Sequence, residues 1–255
     1  MYLQVFMQTT QAEECLKKHR ELWQNKPVLR EIYHSYYMMI KNVCIEGLTL
    51  EIGGGSGNFK QNFPSVIATD IVALPWLDII SDAQVLPFRN ACIANIVMID
   101  VLHHIEDLTA FFREVERILK PGGRIILLEP AITPVSGIVL HLFHPEPIDM
   151  GQNPLHKYPA DPGREPFDAN QALPTLLFGR YKSSFLETFS SLRIVELKYH
   201  DLFVYPLSGG FRSWCFIPYS LIQPLLLIEQ RLVVFLGPLM AFRLFCVIEK
   251  KAGHL

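Results

Sequence analysis

The sequence predicts an α/β domain built on a parallel sheet with helices on both faces. Three observations carry this. Between Leu48 and Pro130, short β-rich apolar runs alternate with helix signals, and near-continuous apolar strands are the mark of a sheet covered on both sides. The first of these runs enters a glycine cluster, Gly53-Gly54-Gly55-Ser56-Gly57, where a strand must turn sharply into a helix. Half of the 255 residues are apolar against 19% charged, and the mean hydropathy is +0.22, which supplies a substantial core.

The elements follow in order. Residues 1–47 read as a helical cap: Leu29, Ile32, Tyr33, Tyr36, Met39 and Ile40 recur at helical spacing, and Pro27 stands where a helix start tolerates proline. Residues 48–130 form the core, with strands expected at "LTLEI", "SVIATD", "WLDIIS", "ANIVMID" and "RIILLEP". Between the last two, Leu108, Phe111, Phe112, Val115, Ile118 and Leu119 trace an amphipathic helix, with Asp107 placed to cap it and "KPGG" to end it. Residues 131–182 are rich in proline and histidine and lack a clear period, which fits a lid or binding insertion better than a passive loop. Residues 183–255 hold two more strands, "SSLRIVELKYH" and "FRLFCVIEK", around a very apolar segment.

A formal net charge of −2 gives no general attraction to nucleic acid, and none is expected as a partner. Cys15, Cys44, Cys92, Cys215 and Cys246 are widely spaced and form no C-x-x-C, which fits a reduced compartment and neither a disulfide framework nor a zinc site. The N-terminal residues lack a basic region followed by a long apolar run, so no signal peptide is expected and a cytoplasmic location is.

The glycine turn separates candidate ligands by counting. A dinucleotide fingerprint G-x-G-x-x-G needs a third glycine where Asn58 stands, and a phosphate-binding loop from Gly53 lacks its lysine. What is present is Glu51-x-Gly53-x-Gly55-x-Gly57. Downstream, Asp70 ends the second strand, Asp82 and Ala83 follow the third in "SDAQVLPF", Asp100 ends the fourth in "IVMIDVLHHIED", and "ILKPGGRIILLEP" turns into the fifth.

These pieces, in register over about residues 48–130, resemble the class I S-adenosylmethionine-dependent methyltransferases, and within them the type 11 group. The resemblance implies a Rossmann-like methyltransferase fold with a seven-stranded, mostly parallel sheet. Its last strand, about residues 240–250, would run antiparallel. The implied cofactor is S-adenosyl-L-methionine. Glu51, Gly53, Gly54, Gly55 and Gly57 would form its turn, Asp70 would meet the ribose hydroxyls with Ile71 also at the cofactor, Asp82 and Ala83 would meet the adenine, and Asp100 would stand in the family's fourth-strand motif. Gly54 departs from the pattern by being a further glycine. The implied reaction is in-line transfer of a methyl group, and we expect a small lipophilic acceptor in a pocket formed by residues 131–182 and 202–238. A non-catalytic cofactor-binding scaffold of the same fold is the alternative.

His103 and His104 follow the fourth strand, and His104 is the candidate base because an imidazole titrates near neutral pH. The insertion adds His141, His144, Glu146, Asp149 and His156. Its prolines oppose a regular helix presenting these together, so a lid touching the acceptor is expected and no metal. Tyr33, Tyr36 and Tyr37 are at core spacing, with closure over the cofactor as the other reading.

The segment 213–242 contains an uncharged run of about 16 residues, then Glu229 and Arg231, then a run of about 11, with Pro218 and Pro224 in the first. Neither run reaches the roughly 20 residues a membrane-spanning helix needs. Two readings remain: a pair of buried or dimer-forming helices, or a surface that meets a membrane or a lipid-like acceptor.

Overall fold

The computed structural model describes residues 2–159 and 163–252; residues 160–162 of the expected lid lie outside these. Helices α1 (Tyr2–Asn25) and α2 (Pro27–Val43) open the chain. Strand β1 (Thr49–Ile52) enters the glycine turn, which leads into a short α3 (Asn58–Asn62). Strands β2 (Ile67–Asp70), β3 (Ile79–Ile80) and β4 (Ile93–Ile99) follow, then a 3₁₀ turn at Leu102–His104, α4 (Leu108–Ile118) and β5 (Leu119–Pro130). The 131–182 insertion, expected as a lid, holds α5 (Pro134–Phe143) and α6 (Leu173–Phe178). The chain then runs through α7 (Lys182–Thr188), β6 (Leu192–His200), α8 (Val204–Ser208), α9 (Ile222–Met240) and β7 (Arg243–Lys250).

The seven strands are ordered β3-β2-β1-β4-β5-β7-β6. Strands β1 to β5 pair in parallel, and β7 is antiparallel to both β5 and β6. This is the Rossmann-like, mostly parallel sheet with an antiparallel last strand that the sequence predicts. Alternation along the strands splits the core in two. On one face Ile96, Met98, Ile125, Leu127, Cys246 and Ile248 pack with Phe111, Phe112 and Val115 of α4. On the other, Val97, Ile126, Leu128, Phe245 and Val247 meet Leu29, Ile32, Tyr33, Tyr36, Tyr37 and Ile40 of α2. The side chain of Asp107 caps α4 by accepting the Ala110 N–H at 2.9 Å.

Two segments differ from the sequence reading. The lid contains the helix α5, started by Thr133 and Ser136 capping each other's backbone N–H groups. Its "PVSGIVLHLF" is apolar almost throughout, so no 3.6-residue period could reveal it. The apolar segment 213–242 forms one long helix instead of a buried pair. Pro224 falls in the first turn of α9, where no intrahelical N–H is lost, and Pro238 lies in the last. Only Ile222, Leu226, Glu229 and Gly237 of α9 are buried, whereas Leu227, Ile228, Leu232, Val234, Phe235 and Leu239 are exposed. By length and composition alone, Tyr219–Met240 would suffice to cross a membrane.

Arg243, buried at the start of β7, ties these parts together. Its Nη1 and Nη2 donate to Asp100 Oδ1 at 2.5 Å and Oδ2 at 2.9 Å, and its Nε lies 3.2 Å from Asp201 Oδ2. Tyr205 and Tyr36 present their rings to the guanidinium at 4.4 and 5.4 Å, and the Tyr36 hydroxyl donates to Asp201. Removing one partner of such a buried pair leaves a charge without solvent or counter-ion. Arg243→Ala should therefore lower the free energy of unfolding by about 3–5 kcal/mol in a urea titration, whereas a loss under 1 kcal/mol would mean that water solvates Asp100 and Asp201 in its place.

Candidate cofactor and acceptor site

Parallel strands bring their C-terminal ends to one edge, and the predicted residues gather there. Gly53, Gly55 and Gly57 all have positive φ, at +71°, +45° and +74°. A Cβ at Gly53 would stand 2.3 Å from Val101 Cγ2, and one at Gly57 would stand 2.4 Å from Trp76 Cδ1. Only glycine fits both the backbone angle and the space at these two positions.

Asp70 faces the turn. Its Oδ2 accepts the Gly55 N–H at 2.8 Å and its Oδ1 accepts the Val72 N–H at 3.0 Å. Burial pushes its pKa up, and these backbone hydrogen bonds pull against that shift. Each carboxylate oxygen keeps a free lone-pair direction. Ile71, between the two, is exposed. Asp82 spends its Oδ1 on the backbone N–H of Gln84 at 2.8 Å, and Ala83 is buried in the core. Asp100 adopts φ +57° and gives both oxygens to Arg243.

Glu51 is buried at the mouth of the turn, and its Oε2 has no hydrogen-bond partner. Burial, with a smaller contribution from Asp70, pushes its pKa up to about 8. Residues the sequence did not single out roof the turn. Trp76 Nε1 donates to the Gly55 carbonyl at 2.8 Å, and Arg20 of α1 donates to the Ser56 carbonyl at 2.6 Å while lying 4.6 Å from the Trp76 ring. Neither residue stands in a motif, so only the fold brings them here. Tyr33, Tyr36 and Tyr37 pack in the core under α2, away from a covering position.

The comparisons with known proteins bear on the family and the fold. Residues 50–127 match the family described as a methyltransferase domain. The matched stretch reads as a methyltransferase domain. The fold is shared with a SAM-dependent methyltransferase of Archaeoglobus fulgidus, at 16% identity, TM-score 0.51, and coverage of 88% of this chain and 93% of that one. It is shared with a possible histamine N-methyltransferase of Thermotoga maritima, at 15% identity, TM-score 0.56, and coverage of 94% and 97%. A protein of Galdieria sulphuraria described as a putative sarcosine dimethylglycine methyltransferase matches at 13% identity, TM-score 0.53, and coverage of 94% and 99%. Uncharacterized protein YafE of Escherichia coli K12 is 33% identical over 85 residues, which span 27% of this chain and 41% of that protein.

The orphaned Glu51 oxygen and the glycine turn fit the nucleoside-bearing cofactor of a methyltransferase domain, because a buried oxygen without a partner lies beside a turn whose glycines let a ligand approach the backbone closely. Next to this cradle, the lid folds over the Leu102–His104 turn. The Asn170 N–H donates to the His103 carbonyl at 3.0 Å, and Arg164 Nη2 donates to the His104 carbonyl at 2.8 Å. His103 Nδ1 contacts Glu129 Oε2 at 2.7 Å, while Glu129 Oε1 accepts the N–H groups of Val101 and Leu102 at 2.9 and 2.8 Å. Glu146 of the lid comes within 3.4 Å of His103 Nε2 and 4.0 Å of His104 Nε2.

Electrostatics separates the two histidines. Burial opposes charge on His103, but hydrogen bonds to Glu129 and Glu146 outweigh it and push its pKa up to about 10. Burial, with His103 alongside, pushes His104 down to about 4. Burial would raise Glu146, yet the His103 hydrogen bond and the nearby imidazoles bring it down to about 2. The sequence placed Glu146 with His141 and His144; the structure instead groups it with His103 and His104, and leaves His141 exposed on α5.

Glu51 gives the domain a pH signature. Folded Glu51 keeps its proton to about pH 8, while an unfolded glutamate releases it near 4.5. Between these values the folded state binds more protons, so stability falls as pH rises through the window. Glu51→Gln should be more stable than wild type above pH 8 by about 1–3 kcal/mol, the cost of a buried unpaired polar group, with the gap closing toward pH 4.5. A difference independent of pH in thermal or urea unfolding would count against a protonated Glu51.

Proposed function

We propose that the protein transfers the methyl group of S-adenosylmethionine to a small lipophilic acceptor held between the lid, residues 131–182, and the segment 202–238. The observation that carries the reading is Asp70, anchored on the Gly55 N–H beside a glycine turn inside the matched region. When bound, the cofactor supplies an electrophilic methyl group. Gly53, Gly54, Gly55 and Gly57 would hold it by backbone, Asp70 with Ile71 at the ribose, Asp82 and Ala83 at the adenine, and Glu51 from the edge, while Asp100, spent on Arg243, would only shape the wall. The chain's own contribution is alignment and exclusion of water, which can lower a barrier by several kcal/mol without a base.

His104 is assigned to the acceptor side. Its imidazole is neutral above about pH 4, so as a base it takes protons only from an acceptor that is already acidic. Glu129, by fixing Val101, Leu102 and His103, sets the floor on which the acceptor would lie.

The lipophilic character of the acceptor is supported by the helices on its side of the fold. Ile138, Leu142 and Phe143 of α5 are exposed beside the exposed apolar residues of α9, with Trp214, Phe216 and Tyr219 in the approach to α9. Glu229 is buried, accepting the N–H groups of Leu202, Phe203 and Val204, which leaves Arg231 as the exposed charge on α9. An apolar, aromatic-rich face on which the exposed charge of α9 is a cation suits a lipid surface, where acceptors of this class reside.

Two measurements test this reading. Calorimetric titration with S-adenosylmethionine and S-adenosylhomocysteine should show micromolar binding, with none for NAD, and Asp70→Ala should weaken it by tenfold or more while the circular dichroism spectrum is retained. Unchanged affinity in Asp70→Ala would remove the ribose assignment. Vesicles of phosphatidylcholine with phosphatidylglycerol should sediment the protein, and Phe235→Asp should release it. A protein that stays in the supernatant and elutes as a dimer would assign the face to a second copy instead.

A further inference from the structure

We propose that His103 Nε2, His104 Nε2 and the Glu146 carboxylate bind one divalent cation of the zinc class. The argument is one of lone pairs. His104 Nδ1 lies 3.4 Å from the Asp168 carbonyl oxygen, which can only accept, so Nδ1 carries the hydrogen and Nε2 carries a lone pair. His103 Nδ1 is held 2.7 Å from Glu129 Oε2, so Nε2 is the nitrogen turned to Glu146, and a cation entering there would replace the proton it carries. Both Nε2 atoms then face one carboxylate, at 3.4 Å to Glu146 Oε2 and 4.0 Å to Oε1. With that proton displaced, the ion would supply the positive charge that three electron-pair donors on one point require.

The spacing fits a cation. The donor atoms lie within 4.8 Å of one another, so shifts of about an ångström would bring them to the roughly 3–4 Å that metal–ligand bonds of about 2.0–2.2 Å set between neighbouring donors. Direct charge-assisted hydrogen bonds would draw them closer, to about 2.7–2.9 Å. Two imidazoles and a carboxylate suit a borderline metal better than magnesium or calcium.

The surroundings are those of a ligand set held in advance. Buried Glu129 orients His103 through Nδ1, the usual arrangement behind a metal-bound histidine. Gln171 of the lid donates through Nε2 to Glu146 Oε2 at 3.0 Å and contacts His144 Nδ1 at 2.5 Å, which keeps His144 outside the ligand set. Three protein ligands leave a position open for water or an acceptor oxygen. His103 and His104 stand in the turn that follows core strand β4 and Glu146 belongs to the 131–182 insertion, so the ion would pin that insertion to the core.

Metal binding is read directly and does not rest on methyl transfer. The full chain, stripped with a chelator and dialysed, is titrated with Zn²⁺ by calorimetry and with Co²⁺ by visible absorption. One equivalent should bind, with the intense d–d bands of a low-coordinate Co²⁺ site. Glu146→Gln and His104→Ala should each weaken binding more than about tenfold, a loss in the range that perturbed metal sites show, while His141→Ala, on the exposed face of α5, should leave it unchanged. Should one variant fail to fold, the other decides. The proposal is overturned by the absence of stoichiometric binding, or by binding that His141→Ala weakens as much as Glu146→Gln. In either case a proton on His103 would be the charge that satisfies Glu146.

Discussion

A guanidinium shut away from water, Arg243, decides how the two parts of the sheet meet. It stands at the first residue of β7, the one strand that runs against the others, and is held by Asp100 from the end of β4 and Asp201 from just after β6. A charge at such depth is tolerable only if its partners are fixed. Both aspartates accept left-handed backbone angles, φ +57° in each, to reach it. Tyr36 and Tyr205 fill the remaining sides and bring α2 and α8 into the same arrangement. The edge strands and the N-terminal helices are thereby locked to the cofactor half of the sheet.

That lock shows how alike the strand-end carboxylates look in sequence and how different they become in the fold. Glu51, Asp70, Asp100 and Glu129 all stand at or near the C-terminal ends of parallel strands. Asp100 is neutralised by Arg243, and Glu129 by two backbone N–H groups and His103. Asp70 is steadied by two N–H groups but keeps acceptor capacity, and Glu51 holds a buried oxygen with no partner. The last two are the carboxylates with something left to offer a ligand, and both lie against the glycine turn.

The lid adds the complementary half. Its backbone and side chains close on the Leu102–His104 turn through Asn170, Arg164 and Glu146, so the polar contacts of the lid converge on the two histidines. Its apolar helix α5 points outward beside α9. One insertion thus presents polar chemistry to the site and an apolar face away from it.

The local pattern of the chain was enough for much of this. Apolar runs alternating with the Leu108–Ile118 helix dictate a covered parallel sheet, because each such strand must bury both faces, and glycines at Gly53, Gly55 and Gly57 dictate a turn with positive φ. Asp70 was legible because it closes a short apolar run at a fixed distance after that turn. What pattern alone left open depends on which distant atoms share a space. A segment apolar throughout, such as α5 or α9, has no period to say which face is buried, so its exposure was decided by packing. Glu146 found His103 and His104 only because the lid folds back over β4, and Trp76 and Arg20 reached the glycine turn only because α1 lies across it. Sequence separation carries no charge and no distance: the strand ends were fixed by local periodicity, and their partners by tertiary contact.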